Sequence, residues 1–119
     1  MAVIQQISQL EDRAILGKAT KNAATALGLR LNELAEIIGV DRSTLNRGID
    51  PKSKTGDIAL TFIRCYRALH ALFGGDVENI KYWFATYNKH LNGAPKDLVK
   101  NIQGLGNVVR YLDGMRGKI

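Results

Sequence analysis

The segment LAEIIGVDRSTLNR, residues 34–47, gathers five polar side chains, Arg42, Ser43, Thr44, Asn46 and Arg47, around a single apolar Leu45. Their chemistry suits a nucleic-acid groove. Arginine pairs bidentately with the O6/N7 edge of guanine, asparagine pairs with N6/N7 of adenine, and hydroxyls reach bases or phosphate oxygens. Lys52 and Lys54 follow closely and can add phosphate contacts. Other reactive side chains stand alone. One cysteine, Cys65, excludes an intramolecular disulfide and falls on the apolar stripe of a predicted helix, where a packed thiol is expected rather than a nucleophile. His70 and His90 lack a Cys or Ser partner in sequence and form no metal-ligand cluster. No glycine-rich phosphate loop or convincing carboxylate pair is present, so neither an enzyme nor a cofactor is expected.

The polar set around Leu45 needs a scaffold that turns Leu45 inward, and residues 34–47 supply one. Small Ala35 lets two helices approach closely, Gly39 accommodates a tight turn, and Val40 and Leu45 pin the second helix onto the first. This is the physics of a helix-turn-helix, whose second helix enters the major groove. The competing reading is a helical hairpin whose polar residues are merely solvated. One position departs from the motif. Three residues after Leu45, where an apolar side chain is usual, stands Gly48 with Ile49 beside it. The reading helix therefore ends early or packs differently.

Helical periodicity extends over nearly the whole 119-residue chain, and no run alternates as a strand would. The fold class is all-α. Its 45% hydrophobic content suffices for one compact core, or for two small helical subdomains sharing one. A first helix is expected from about Leu10 to Leu27, with Leu10, Ala14, Leu16, Ala19, Ala23, Ala24 and Leu27 as its apolar stripe and Gly28 as its stop. Two short helices follow, 31–38 and, capped by Asp41, 42–47; residues 48–57 read as a loop. A longer helix spans about 58–73 with Ile58, Phe62, Cys65, Leu69 and Leu72 on one face, ended by Gly74 and Gly75. Asp76 caps a helix to about Tyr87 that carries Ile80, Trp83, Phe84 and Tyr87 as a bulky stripe. Pro95 opens a short helix holding Leu98, Val99 and Ile102, and a last helix, about 105–115, turns Val108, Val109 and Leu112 inward.

Charge divides the chain unevenly. Residues 1–57 carry eight Lys/Arg against seven Asp/Glu, whereas residues 58–119 carry nine against four, so most of the net +6 lies in the second half. A protein whose basic residues served only DNA would concentrate them around the reading helix, and the asymmetry points to a second electrostatic task. MAVIQQISQL has neither the basic start nor the apolar run of a signal peptide, and no stretch is long and apolar enough to span a bilayer. A cytoplasmic location without membrane contact is expected.

Residues 80–119 hold a second pattern: Trp83, Asn88, Leu91, Gly93, Pro95, Leu98, Gly104, Val109 and Leu112, in an order and spacing that resemble the C-terminal toxin-binding domain of the Xre/MbcA/ParS antitoxin family. With the upstream helix-turn-helix, of lambda-repressor type, the resemblance covers the whole chain. It implies a DNA-binding region at 1–57 and a dimerisation and toxin-binding helical domain at 58–119. It further implies a homodimer or higher oligomer that binds operator DNA, represses its own operon and sequesters a cognate toxin, for this domain usually a RES-domain enzyme that consumes NAD. Carried onto this sequence, the obstructing segment is Met115, Arg116, Gly117, Lys118 and Ile119, supported by Arg110 and Tyr111. A basic tail fits a pocket built for dinucleotide phosphates. The alternative is a stand-alone helix-turn-helix repressor in which the C-terminal pattern only dimerises.

Overall fold

The computed structural model describes residues 2–117 and contains seven helices: α1 (Ala2–Ala26), α2 (Leu31–Ile38), α3 (Arg42–Arg47), α4 (Lys54–Leu72), α5 (Val77–Ala85), α6 (Pro95–Leu98) and α7 (Ile102–Gly117). No strand forms among the described residues; the one isolated bridge, Asn88 to Gly93, closes a turn. The all-α expectation holds. Local signals account for most helix ends. Gly39 ends α2 in the left-handed region at φ 84°, its N–H donating to the Ala35 carbonyl, and Asp41 caps α3 by accepting from Thr44 N–H at 2.7 Å. Asp76 caps α5, and Pro95 occupies the first turn of α6.

Helix α4 forms the spine. It packs on α1 along one side and on α7 along the other, burying Ala59, Phe62, Cys65, Ala68 and Leu69 completely. Around it one contiguous core collects Leu16, Ala23, Ala24 and Leu27 from the first helical segment, Leu34, Ile37, Ile38 and Leu45 from the hairpin, Ile80 and Phe84 from α5, and Val108, Val109 and Leu112 from α7. The division between Asp57 and Ile58 therefore falls inside α4. Two half-exposed ion pairs, Glu33 with Lys96 at 3.9 Å and Glu36 with Lys100 at 3.5 Å, further link α2 to the α6 region. Thr20 is fully buried, and its hydroxyl donates to the Leu16 carbonyl at 2.7 Å.

Four sequence expectations need correction. Helix α1 begins at Ala2 and not near Leu10, and Leu10 and Ala14 are exposed because the core reaches α1 only from Leu16 onward. Helix α4 begins at Lys54 within the expected 48–57 loop, because Ser53 is its cap: the hydroxyl accepts Gly56 N–H at 2.9 Å and donates to the Asp50 carbonyl at 2.7 Å. Helix α5 stops at Ala85, leaving Tyr87 in the following turn, 64% exposed, its hydroxyl donating to Asn92 Oδ1. Ile102 opens α7 facing outward and is 72% exposed.

Candidate functional site

Helix α3 is held by one buried residue and one glycine contact. Leu45 enters the core, while Arg42, Ser43, Asn46 and Arg47 remain exposed. At its end the chain passes so close to α1 that a Cβ on Gly48 would meet the Arg13 carbonyl oxygen at 2.9 Å, and one on Gly17 would meet Gly48 Cα at 3.1 Å. Gly48 adopts φ 108°, and Ile49 then turns fully inward, its N–H donating to the Arg13 carbonyl at 3.1 Å. Ile49 thus supplies the apolar anchor that the sequence lacks at Gly48.

Thr44 is half-buried and organises the helix start. Its N–H, and then its hydroxyl, hold the Asp41 carboxyl below the usual aspartate range, with the Arg47 charge adding to the effect. The Thr44 hydroxyl also accepts from Arg47 Nη2 at 3.2 Å, steering that guanidinium along the helix. Lys21 of α1 reaches Asn46 Oδ1 at 3.4 Å and brings a further cation to the exposed face of α3. Sequence reasoning missed Lys21, which lies 25 residues from Asn46 and inside an unremarkable helix.

The two lysines beyond α3 diverge. Lys52 is exposed beside Asp50, Arg13 and Gln9, whereas Lys54, the first residue of α4, lines a groove of about 550 Å³ with Ile58, Ile102, Leu105 and Arg110. The fold therefore joins Lys54 to Arg110, which the sequence reading had assigned to the other surface. Arg110 is exposed and donates to Asn107 one turn earlier on α7.

Tyr111 is half-buried and stacks with Trp83 at 6.4 Å and with His90 at 5.9 Å between centroids. Trp83 and His90 come from α5 and from the turn after it, and nothing in their sequence spacing placed them beside Tyr111. The turn is built by Asn88, whose side chain accepts the N–H groups of His90 and Leu91 and whose backbone bonds Gly93 in both directions. Gly93 and Gly104 shape the next step: a Cβ on Gly93 would touch Leu98, and one on Gly104 would lie 1.9 Å from the Leu98 carbonyl oxygen. The recurring Asn, Gly, Pro, Leu and Gly positions of this region are thus builders of the turn that sets α5 against α7. Beyond Tyr111, α7 continues through half-buried Met115 to exposed Arg116 and Gly117; Lys118 and Ile119 lie outside the described residues.

Burial pushes the Cys65 thiol up to about 12, so it stays protonated at neutral pH and packs as a small hydrophobe. No group of three or more His, Cys, Asp or Glu side chains suited to a metal occurs among the described residues, and no helix among them is long and apolar enough to cross a membrane.

Residues 6–58 match the antitoxin Xre-like helix-turn-helix domain, and residues 68–118 match the antitoxin Xre/MbcA/ParS C-terminal toxin-binding domain. No curated protein matches the chain. The first match covers α2, α3 and the Gly17–Gly48 contact that seats them, and the second covers the Asn88 turn and the aromatic stack on Tyr111. Carrying both domains on one core, the chain belongs to the Xre/MbcA/ParS antitoxin family.

Proposed function

We propose that this protein is the antitoxin of a type II toxin–antitoxin pair, a cytoplasmic homodimer or higher assembly that represses its own operon and neutralises a RES-domain, NAD-consuming toxin. Operator reading falls to Arg42, Ser43, Asn46 and Arg47, with Thr44 positioning them and Lys21, Lys52 and Lys54 available to phosphates. Neutralisation falls to the face around Arg110 and Tyr111 and to the end of the chain, Met115 to Ile119. The observation that supports this reading is that one core carries exposed Arg42 and Arg47 on α3 and, on α7, Tyr111 stacked with Trp83 and His90 ahead of exposed Arg116. A basic terminus complements a pocket that binds dinucleotide phosphates, and the stack offers a rigid, amphipathic anchor of the kind that dominates protein interfaces.

The test is co-expression with the protein encoded beside it. The full chain should rescue growth, a chain lacking residues 115–119 should not, and Tyr111→Ala should weaken rescue while sparing operator binding. Absence of toxicity in any combination would favour the stand-alone repressor.

A further inference from the structure

Every residue from Ala2 to Ile15 is exposed; the body first meets α1 on one side near Gln9 to Arg13, where the Arg13 carbonyl accepts Ile49 N–H, so the opening turns of α1 stand off as an arm. The molecule is correspondingly elongated, 51 × 29 × 25 Å, with a radius of gyration of 15.0 Å, against about 13.5 Å expected for a compact chain of this length. The arm carries an exposed apolar stripe. Val3, Ile4, Ile7 and Leu10 are 65%, 68%, 51% and 65% exposed, and no charged side chain occurs before Glu11. A lone helix of roughly fourteen residues is marginal in water, and an apolar stripe of this extent marks an interaction surface.

The spacing specifies the partner. Val3, Ile7, Leu10 and Ala14 follow steps of four, three and four, the seam of a coiled coil. That series reads the same in either direction. Two copies laid antiparallel about an axis between Ser8 and Gln9 bring Val3 opposite Ala14 and Ile7 opposite Leu10. The body selects the same orientation. A parallel pair would run on side by side past Ala14, where Gly17 and Ala24, the continuation of the seam, are already covered by each copy's own core, whereas the antiparallel pair ends at Ile15. We infer that the α1 arm pairs antiparallel with the arm of a second copy through Val3, Ile7, Leu10 and Ala14, placing the two-fold axis on α1 and not within residues 58–119.

The arm is about 21 Å long, and half the surface of such a helix is on the order of 400 Å² per copy, at the low end for a protein interface. The pair is therefore expected to dissociate on dilution and to be consolidated on a two-site ligand. Its geometry suits one. Helix α3 is seated on α1 near Arg13, Gly17 and Lys21. At 1.5 Å per residue these positions lie roughly 7, 13 and 19 Å from the axis, so those nearest Asn46 carry the two reading helices about 25 to 37 Å apart. One turn of B-DNA, the usual half-site interval, falls within that range. This last step rests on the DNA-binding reading above; the pairing of arms does not.

Mixing a full chain bearing Ile7→Cys with one bearing Leu10→Cys, followed by oxidation, tests the pairing, since buried Cys65 does not interfere. Mixed disulfides should greatly exceed like-with-like products, and Ile7→Glu/Leu10→Glu should abolish the concentration-dependent dimer in sedimentation without changing the aromatic signature of the body. Predominant like-with-like products, or an unaltered dimer in the double glutamate variant, would overturn the inference. A mixed disulfide together with loss of two-site operator binding in the glutamate variant is expected. A mixed disulfide in a chain that binds no operator at all would leave the pairing standing and remove the DNA reading instead.

Discussion

Arg42 and Arg47 project from α3 with their guanidinium groups available for recognition, and Arg47 is pre-aligned by Thr44. If either pairs with a guanine, its replacement by alanine costs about 1 to 3 kcal/mol at that base pair and little elsewhere, a pattern that distinguishes base reading from phosphate contact. Lys21→Ala, by contrast, should weaken all sequences alike and lower the salt dependence of binding. Fluorescence anisotropy with operator and base-substituted duplexes separates these outcomes, and undiminished affinity in both arginine variants would remove α3 from the reading role. Asp41 adds a pH dependence with a definite sign. Its folded pKa lies below the unfolded value, so its stabilisation of α3 is present at neutral pH, begins to fall below the ordinary aspartate pKa of about 3.9, and is lost as pH drops through the depressed folded value. The Thr44 amide resonance should report that titration, and Asp41→Asn, which retains an accepting oxygen, should remove it while keeping the cap. A midpoint at or above the ordinary aspartate value would contradict the hydrogen-bonded cap.

Among the elements, α7 carries an internal comparison between two glycines. A methyl group at Gly104 meets the Leu98 carbonyl, backbone against backbone, with no side chain that can swing away, whereas Gly114 has nothing within 4 Å. Gly104→Ala should therefore destabilise by about 3 kcal/mol or more, and Gly114→Ala should stabilise by up to about 1 kcal/mol through improved helix propensity. Denaturant unfolding of the two variants checks the opposite signs; equal effects would show that the α6–α7 turn is looser than the contact implies. The same contrast explains what was legible beforehand. Helices α2 and α3 were readable to the residue because Gly39, Asp41 and Gly48 are strong local punctuation. The start of α4 was not, because "GIDPKSKTGD" looks like a loop until Ser53 is seen as a cap. Leu10 and Ala14 were placed on the apolar stripe of α1 although they are exposed, because apolar spacing announces an amphipathic helix without saying which molecule covers it, and the turns before Leu10 were not read as helix. The Trp83–Tyr111–His90 stack arises from tertiary packing alone, which no spacing in the chain encodes.

At the scale of the whole molecule, α3 and the Tyr111 face of α7 are not carried by independent bodies. The 57/58 division cuts α4, and Phe62, Cys65 and Leu69 on that helix contribute to one continuous core between α1 and α7. Surfaces built this way share one unfolding event, since neither half can lose α4 without exposing the apolar face of the other. Leu45→Ala beneath the reading helix and Leu112→Ala beneath the aromatic stack remove fully buried side chains at opposite ends of this core. Each should cost about 2 to 5 kcal/mol, and both should lower the same single transition. Far-ultraviolet signal and tryptophan fluorescence, the latter reporting only Trp83 in the C-terminal part, should therefore fall together in urea for both variants. If Leu45→Ala produced an early loss of helix with Trp83 unmoved, the halves would be separate folding units. Coincident curves would mean that destabilising the DNA-binding end also lowers the population able to hold a toxin. Toxin binding would in turn stabilise the DNA-binding end by mass action, by about 2.7 kcal/mol at a free toxin concentration one hundred times its dissociation constant.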